Sequence, residues 1–355
     1  MTDIKLDILP QRSALPAGHT VELYALVRTQ APSRPDYQRD NRLPLNLSLV
    51  LDRSGSMGGK PLEEAKRCAS YIVDQLDGRD RVSVITYDNT ISTVVPTTPV
   101  VDKAALKRAI DAVRPGGTTA LFGGWHEGAI QCRAGINGQN LSRVLLLSDG
   151  CANKGRRTVS EIVPYCAEML EMGVSTSTYG LGRRFNEELM VEMANAGGGQ
   201  SYYGESAEHL LDPFHEEISL ISALCARQVK LTLKAPVGIR YALLNDYRYV
   251  GDDTWLLPEL AYEGEAWALV KLSVPANFQE AHGGAHSEVL TAFLSYTNVE
   301  GDAPESSAST LALPRTHPAA WATLEEDQRV VGRMEEIRVS QLQLELRKAA
   351  LRRDW

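Results

Sequence analysis

The sequence predicts a doubly wound α/β domain with a mostly parallel sheet, inserted into a β-sandwich that the two flanks of the chain build, with a helix at the C-terminus. Over 44–222, apolar strand patterns alternate with helical patterns, which is typical of parallel βαβ units with helices on both faces of the sheet. The flanks 1–43 and 223–313 show strand patterns alone, and 314–355 is helical.

The N-terminal flank contains two strand patterns, "DIKLDIL" and "HTVELYALVRT", followed by a polar connection that contains proline. A two-stranded hairpin is only marginally stable by itself in water. We therefore expect these strands to join the strands that follow residue 222, among them "QVKLTLKA", "EAWALVKLSV" and "EVLTAFLSYT", in one sandwich. The segment 299–317 is predicted to be a loop or a weak strand.

The central domain begins with "LNLSLVL", and a later strand reads "RVLLLS". Unbroken apolar runs of this kind are typical of strands that are buried on both faces of a parallel sheet. Between the strands, segments such as "PLEEAKRCASYIVDQL" carry apolar residues at helical spacing. In open α/β sheets, ligands bind beyond the carboxyl ends of the strands, so a functional site is expected there.

The C-terminal segment 318–353 is predicted to form one long charged helix. Packing of this helix against the chain's own sandwich is favoured over a coiled coil, because polar Gln341 and Lys348 occupy the companion heptad positions. The apolar residues that recur at steps of seven are Val330, Ile337, Leu344 and Leu351.

Composition narrows the choice of partners and compartment. The chain of 355 residues has a net charge of −8 and no Lys/Arg-rich run with interleaved aromatics, which argues against nucleic acid as a partner. We find neither a secretory leader pattern nor an apolar run long enough to span a membrane, and we therefore expect no membrane association. The five cysteines are odd in number and show no CxxC pair, which indicates a reducing, cytoplasmic compartment.

The chemistry-bearing motif is "LVLDRSGSM", at the end of the first central strand. The glycines that follow allow a tight bend into the next helix, so that Asp52, Ser54 and Ser56 can converge. Two hydroxyls and a carboxylate suit a hard cation, and a few protein oxygens completed by water suit Mg²⁺ better than Ca²⁺.

One loop cannot fill an octahedral shell, so further oxygens must come from other strand ends. Thr118 follows a glycine pair, and Asp149 ends the apolar run "RVLLLS". Thr119 is the alternative threonine, and we favour Thr118 because it comes first after the glycines.

These three segments together resemble the metal-ion-dependent adhesion site of von Willebrand factor type A (vWA) domains, over residues 44–222. The resemblance implies a Rossmann-like fold and Mg²⁺, with Mn²⁺ or Ca²⁺ as alternatives. It implies direct ligation by Ser54, Ser56 and Thr118, and largely water-mediated roles for Asp52 and Asp149. The sixth coordination position would accept an Asp or Glu side chain of a partner protein.

The flanking strands also resemble bacterial intracellular vWA proteins in which a sandwich accompanies the domain. That resemblance implies a non-enzymatic adaptor in a multi-protein system, such as one linked to an AAA+ ATPase, with no small-molecule substrate. Two alternatives stay open: an Mg²⁺-dependent phosphohydrolase, for which only Glu63 and Glu64 lie near enough in sequence to act as bases, and a purely structural metal.

Basic residues are frequent in the loops that follow the strand ends. If several of them surround the metal, this face would be locally positive and would steer an acidic partner. They are Arg53, Lys60, Arg114, Lys154, Arg156, Arg157, Arg183 and Arg184.

Overall fold

The structure is a computed structural model that describes residues 4–35, 42–138, 140–149, 154–181, 186–204, 206–278, 286–299 and 303–352. The chain divides into two compact units. The unit here called the α/β unit comprises Arg34–Gln228 and Val299–Ala303. The unit here called the β unit comprises Met1–Ser33, Val229–Asn298 and Pro304–Trp355.

The α/β unit is built on a six-stranded sheet in the order β6-β5-β4-β7-β8-β9. All neighbouring pairs are parallel except β5 and β6, which pair antiparallel at one edge. The strands are β4 (Leu45–Asp52), β5 (Arg81–Tyr87), β6 (Ile91–Pro99), β7 (Leu141–Ser148), β8 (Val174–Leu181) and β9 (Gly198–Gly204). The helices are α1 (Lys60–Gln75), α2 (Lys103–Asp111), α3 (Leu121–Ala134), α4 (Val159–Glu171), α5 (Glu187–Ala196) and α6 (Ala207–Ser222).

Helices cover both faces of this sheet, as the sequence predicts. Alternate side chains of β4 enter two separate cores: Leu47 and Leu49 pack with α1, α2 and α6, whereas Val50 packs with α3, α4 and α5. Every residue of β4 and of β7 is buried. The apolar runs are therefore explained by burial on both sides of the sheet.

The parallel register sets the location of the site. Leu51 of β4 lies opposite Leu147 of β7, and Asp52 lies opposite Tyr87 of β5. Because the three strands run in the same direction, the segments that leave their carboxyl ends start from the same edge of the sheet.

Two further sheets, with strands from both flanks of the chain, belong to the β unit apart from the first residues of β10 and β17. One has the order β1-β3-β15-β11, and the other has the order β12-β13-β10-β16-β17-β2. On β3 the alternate residues Val21, Leu23, Ala25 and Val27 are buried on one face of the sheet. Leu26, on the opposite face, is buried as well. The packing of the two sheets as a sandwich stays a prediction. The strands are β1 (Lys5–Pro10), β2 (Leu15–Pro16), β3 (Val21–Gln30), β10 (Leu224–Lys234), β11 (Arg240–Leu243), β12 (Arg248–Gly251), β13 (Thr254–Leu256), β14 (Leu260–Ala261), β15 (Glu265–Val274), β16 (His286–Asn298) and β17 (Ala303–Thr316).

The C-terminal segment differs from the single helix that the sequence predicts. It forms a short helix α7 (Pro318–Ala322) and a long helix α8 (Gln328–Arg352). The break has a physical cause: the Asp327 N–H donates to Gln11 O at 2.9 Å and its carboxylate accepts from the Arg329 N–H at 2.9 Å, which is the role of a helix N-cap.

Helix α8 packs on the chain's own β unit through its first half, as the sequence favours. Val330 is fully buried against Leu26 and Leu269, and Ile337 is packed against this cluster. The side chains of Leu344 and Leu351 lie outside the described part of the chain.

Two further findings concern the length of the helices and the state of the cysteines. None of the described helices is long and apolar enough to cross a membrane. Four cysteines of the described residues form no disulfide bond, and all four are buried: Cys68, Cys132, Cys166 and Cys225.

Candidate metal centre

The turn that follows β4 brings two of the predicted ligands together. The hydroxyl oxygens of Ser54 and Ser56 lie 3.1 Å apart. Ser54 is almost fully buried, whereas Ser56 is exposed. Between them, Gly55 begins a 3-10 turn, Gly55–Met57, in which the Met57 side chain is buried. The short turn and the buried Met57 together hold both hydroxyls on the same side of the loop.

Asp52 stands beneath these hydroxyls and is completely buried. Its Oδ1 accepts from the Ser54 N–H at 2.8 Å, and its Oδ2 accepts from Ser148 Oγ at 2.7 Å and from Tyr87 Oη at 3.3 Å. Burial raises the pKa of Asp52 to about 6, while the hydrogen bonds from Ser54 and Ser148 lower it and the charge of Asp149 raises it. The hydrogen bonds thus do not offset the cost of burying this charge.

The glycine pair before Thr118 is joined to the first loop by two main-chain hydrogen bonds. The Gly55 N–H donates to Gly117 O at 2.7 Å, and the Gly116 N–H donates to Arg53 O at 2.7 Å. A turn that lies this close to the Ser54–Ser56 loop delivers the next residue of the chain, Thr118, to the same edge of the sheet.

The two threonines differ in exposure. Thr118 is exposed, whereas Thr119 is 1% exposed and its carbonyl oxygen accepts from the Lys154 N–H at 3.1 Å. An exposed hydroxyl can reach a metal that also contacts a partner, so exposure favours Thr118. Burial alone does not exclude Thr119, because Ser54, a proposed ligand, is equally buried.

Asp149 follows β7 and completes the predicted set. It is 6% exposed, its main-chain oxygen accepts from the Asn186 N–H at 3.2 Å, and its charge acts on Asp52. The structure therefore places Asp52, Ser54 and Asp149 at one edge of the sheet, with Ser56 beside Ser54.

Three residues that the sequence does not single out also shape the site. Tyr87 and Ser148 donate to Asp52, and Asp88 binds the glycine turn through the Gly117 N–H at 3.1 Å. Tyr87 ends β5, Asp88 follows it directly, and Ser148 ends β7. Both strands are neighbours of β4. The strand-end position is the signal that could have identified them, since polar residues there face the same edge.

The donors present fit a hard divalent cation. Hydroxyl and carboxylate oxygens are the ligands that Mg²⁺ takes in proteins. Burial raises the pKa of Asp52, and a second buried carboxylate, Asp149, lies close enough for its charge to act on Asp52. A cation at this place would therefore favour the ionised form of Asp52 and offset the repulsion from Asp149. Ser54, Ser56 and Thr118 would supply oxygens directly, and Asp52 and Asp149 would hold bound water.

The basic residues of the surrounding loops take different roles. Arg53 pairs with Asp88 at 3.2 Å, and Arg156 stacks over the rings of Phe122 and Tyr165 at 4.9 and 4.3 Å. Lys60 and Arg157 are exposed. Arg183 and Arg184 lie outside the described residues.

The candidate bases of the hydrolase alternative are engaged in ion pairs on α1. Glu63 accepts from Lys66 Nζ at 2.8 Å, and Glu64, which is 6% exposed, accepts from Arg67 at 3.2 Å. These contacts favour a structural role for both carboxylates in helix α1.

Comparison with known proteins identifies the central fold. Residues 46–216 match the von Willebrand factor type A domain, and the chain therefore contains a vWA domain. Domains of this type commonly mediate protein–protein interaction. Among curated proteins, the chain is 29% identical over 258 residues to "Uncharacterized protein sll0103" of Synechocystis sp., which covers 71% of this chain and 59% of that protein. The chain thus spans about three fifths of this relative.

Two solved structures share the fold over nearly the whole chain. The von Willebrand factor type A protein from Catenulispora acidiphila has a TM-score of 0.70 and 17% identity, and covers 93% of this chain and 77% of that one. The ArnB paralog VWA2 from Sulfolobus acidocaldarius has a TM-score of 0.64 and 17% identity, with coverages of 94% and 81%. At this identity, the likeness shows the fold alone.

Proposed function

We propose that the α/β unit binds Mg²⁺ at the carboxyl ends of β4 and β7 and that the bound ion captures an Asp or Glu side chain of a partner protein. Ser54, Ser56 and Thr118 ligate the ion directly, and Asp52 and Asp149 hold its water ligands. Mn²⁺ or Ca²⁺ are the alternative ions.

The observation that carries the proposal is the pair of serine hydroxyls 3.1 Å apart above the buried carboxylate of Asp52. In this arrangement the direct protein ligands are neutral hydroxyl oxygens, and Asp52 and Asp149 act only through water, so the ion itself bonds to no carboxylate of this chain. Such an ion attracts a further anionic oxygen, and a partner's carboxylate is the anion that proteins present most readily.

A single carboxylate buries too little surface for a stable complex, so the surrounding loops must supply further contact. The exposed cations Lys60 and Arg157 support an acidic surface as the complementary partner. The proposal that the protein acts as a cytoplasmic adaptor beside an AAA+ ATPase rests on the sequence resemblance alone and stays a prediction.

Metal binding is tested first, by titration of the full chain with Mg²⁺ and Mn²⁺ in a calorimeter. We expect Ser54→Ala and Ser56→Ala to weaken affinity on the order of 100-fold or more, since even residues that only orient ligands typically change affinity 10- to 100-fold. Ser92→Ala is the matched control, because Ser92 is exposed on the edge strand β6. Equal affinity in Ser54→Ala and the control would contradict direct ligation.

Partner capture is tested with immobilised full-length protein and lysate of the source cell, in Mg²⁺ or in EDTA. We expect proteins that are retained in Mg²⁺ to be lost in EDTA and with Ser54→Ala, but kept with Ser92→Ala. Retention that survives both chelation and Ser54→Ala argues against recognition through the metal. Release of phosphate from generic phosphoesters, lost in Ser54→Ala, would instead support the hydrolase alternative.

A further inference from the structure

The buried carboxylate of Asp88 contacts both the glycine turn before Thr118 and the loop that follows β4. It lies directly after β5 and is 4% exposed. Its Oδ2 accepts from the Gly117 N–H at 3.1 Å and lies 3.2 Å from the guanidinium of Arg53. Its Oδ1 accepts from the N–H and the hydroxyl of Thr90 at 2.7 and 2.8 Å.

Asp88 also holds the other side of the threonine pair. Its main-chain oxygen accepts from the Ala120 N–H at 2.9 Å. The residues on either side of Thr118 and Thr119 are therefore both hydrogen-bonded to Asp88, Gly117 to its carboxylate and Ala120 to its main-chain oxygen.

The glycine turn packs so closely against Asp88 and Asn89 that a side chain at Gly116 or Gly117 would not fit. A Cβ atom added at Gly116 would collide with the Asp88 carboxylate, and one added at Gly117 would lie 2.5 Å from Asn89 Oδ1. The glycine pair "GG" before the threonines is therefore explained by the approach of the turn to Asp88 and Asn89, rather than by a positive φ angle.

The contacts of Asp88 differ from those expected of a metal ligand. Its Oδ1 accepts two hydrogen bonds from Thr90, and its Oδ2 accepts one from the Gly117 N–H and forms an ion pair with Arg53, so both oxygens are already engaged within the protein. Its charge is matched by Arg53, whose main-chain oxygen also binds the Gly116 N–H at 2.7 Å. Arg53 and Asp88 together join the serine loop to the threonine turn.

We infer that Asp88 is the positioning residue that sets the threonine turn in register with the Ser54–Ser56 loop for metal binding. The inference rests on the proposed metal function. Outer partners that orient metal ligands typically change metal affinity 10- to 100-fold when they are replaced.

The test is Asp88→Asn in the full chain, with Asp74→Asn as the control. Asn cannot replace Asp here in either amide orientation, because both carboxylate oxygens face main-chain N–H donors and one of them would meet the NH₂ group. Asp74 undergoes the same chemical change on the surface, where its carboxylate contacts Lys107. We expect Asp88→Asn to weaken Mg²⁺ affinity about tenfold or more and the control to leave it unchanged.

A readout without metal separates positioning from ligation. Hydrogen exchange of the metal-free protein should be faster in a peptide covering 113–121 in Asp88→Asn, with β8 and α5 unchanged. In a double-mutant cycle, Asp88→Asn should add little to the loss of affinity in Thr118→Ala or, if Thr119 is the ligand, in Thr119→Ala. If Asp88→Asn does not fold, Arg53→Met is used in the same assays and should give the same pattern with a smaller loss.

Three results would overturn the inference. Unchanged Mg²⁺ affinity in Asp88→Asn, with normal binding by the wild type, removes it and leaves the proposed function intact. A loss that adds fully to that of both threonine variants assigns Asp88 a general structural role. Absence of divalent-ion binding in the wild-type protein overturns the inference and the proposed function together.

Discussion

At the scale of single residues, the central feature is the carboxylate of Asp52, which the fold removes from water without an ion pair among the residues that the structure describes. Asp52 is fully buried and its pKa is raised to about 6, first because of burial and then because of the charge of Asp149. The hydroxyls of Ser148 and Tyr87 orient it but carry no charge. A divalent ion is the group that would favour its ionised form.

Mg²⁺ affinity should therefore fall as the pH falls through about 6. Below that pH, Asp52 binds a proton, and proton and cation compete, so that affinity drops about tenfold between pH 7 and pH 5 for one competing proton. Calorimetric titration at three pH values measures this. Affinity that is constant over this range would contradict a role for Asp52 in holding the ion.

Unfolding of the protein is not the expected cause of that loss. A pKa raised in the folded state means that the folded protein binds the proton more tightly than the unfolded chain. The contribution of Asp52 to the stability of the metal-free protein therefore increases as the pH falls from above 6 towards the unfolded value of 3.8. Far-UV circular dichroism at each pH provides the control.

The sequence singles out residues whose type and local pattern indicate metal binding. It does not single out residues whose role depends on contacts with distant parts of the chain. Asp52, Ser54 and Ser56 stand out because hydroxyls and an acid follow an apolar strand. Asp88 follows "VITY" and reads as an ordinary turn acid. Its role depends on the turn at Gly116 and Gly117, and Gly117 lies 29 residues away in the sequence. A local sequence pattern cannot predict a contact between residues so far apart.

At the scale of elements, a buried ion pair fixes helix α6 to the sheet. Arg143 of β7 contacts Glu217 of α6 at 2.5 Å, and their side chains are 3% and 0% exposed. Ser175 Oγ accepts from Arg143 Nε at 2.8 Å, while Ser177 and Tyr202 donate to Glu217 at 2.5 and 3.0 Å. The pair is thus enclosed in a polar network between two apolar layers.

Arg143→Met should destabilise the protein by about 3–5 kcal/mol, because it leaves Glu217 as a buried charge without its cation. The double variant Arg143→Met/Glu217→Met should recover most of that loss, since apolar replacement of both partners of a buried pair is often close to neutral. Urea unfolding followed by circular dichroism measures both. Equal destabilisation in the single and double variants would show that the network, rather than the unpaired charge, sets the cost.

Elements were predictable where burial imposes a strong pattern. Strands β4 and β7 are buried at every position and read as apolar runs. Strand β17 alternates between exposed and half-buried positions over most of its length, with small polar residues such as Ser306 and Ser309. It was expected to be a loop or a weak strand, because its strand character depends on pairing with its neighbours rather than on hydrophobic residues.

The break between α7 and α8 was missed for a similar reason. The segment carries no proline or glycine between Ala322 and Gln328, so no local signal ends the helix. The stop comes from contacts with distant residues: Asp327 N–H binds Gln11 O, and Gln11 and Arg12 bind the carboxylate of Glu326.

At the scale of the whole molecule, the chain forms two compact units, and all the proposed metal ligands belong to one of them. The α/β unit contains Asp52, Ser54, Ser56, Thr118 and Asp149, whereas the β unit contains the N-terminal strands and α8. An ion that binds only the folded α/β unit stabilises that unit by mass action. Whether the β unit shares in this stabilisation depends on whether the two units unfold cooperatively.

Hydrogen exchange with and without Mg²⁺ should distinguish the units. At a Mg²⁺ concentration 100 times the dissociation constant, linkage stabilises the α/β unit by about 2.7 kcal/mol, which is about a 100-fold slower exchange for amides that open by global unfolding. We expect this slowing in β4 and β7 and little change in β3 and β15. Ser54→Ala, measured in the same way, should remove it.

Each alternative result has a distinct physical meaning. Equal slowing in β3 and β15 would show that the two units unfold as one cooperative block, because ligand binding then stabilises both by the same free energy. Slowing that is confined to the peptides next to Ser54 and Asp149, with none in the core of β4, would show that those core amides exchange through openings in which the ion stays bound. No slowing anywhere, in either unit, would contradict metal binding itself.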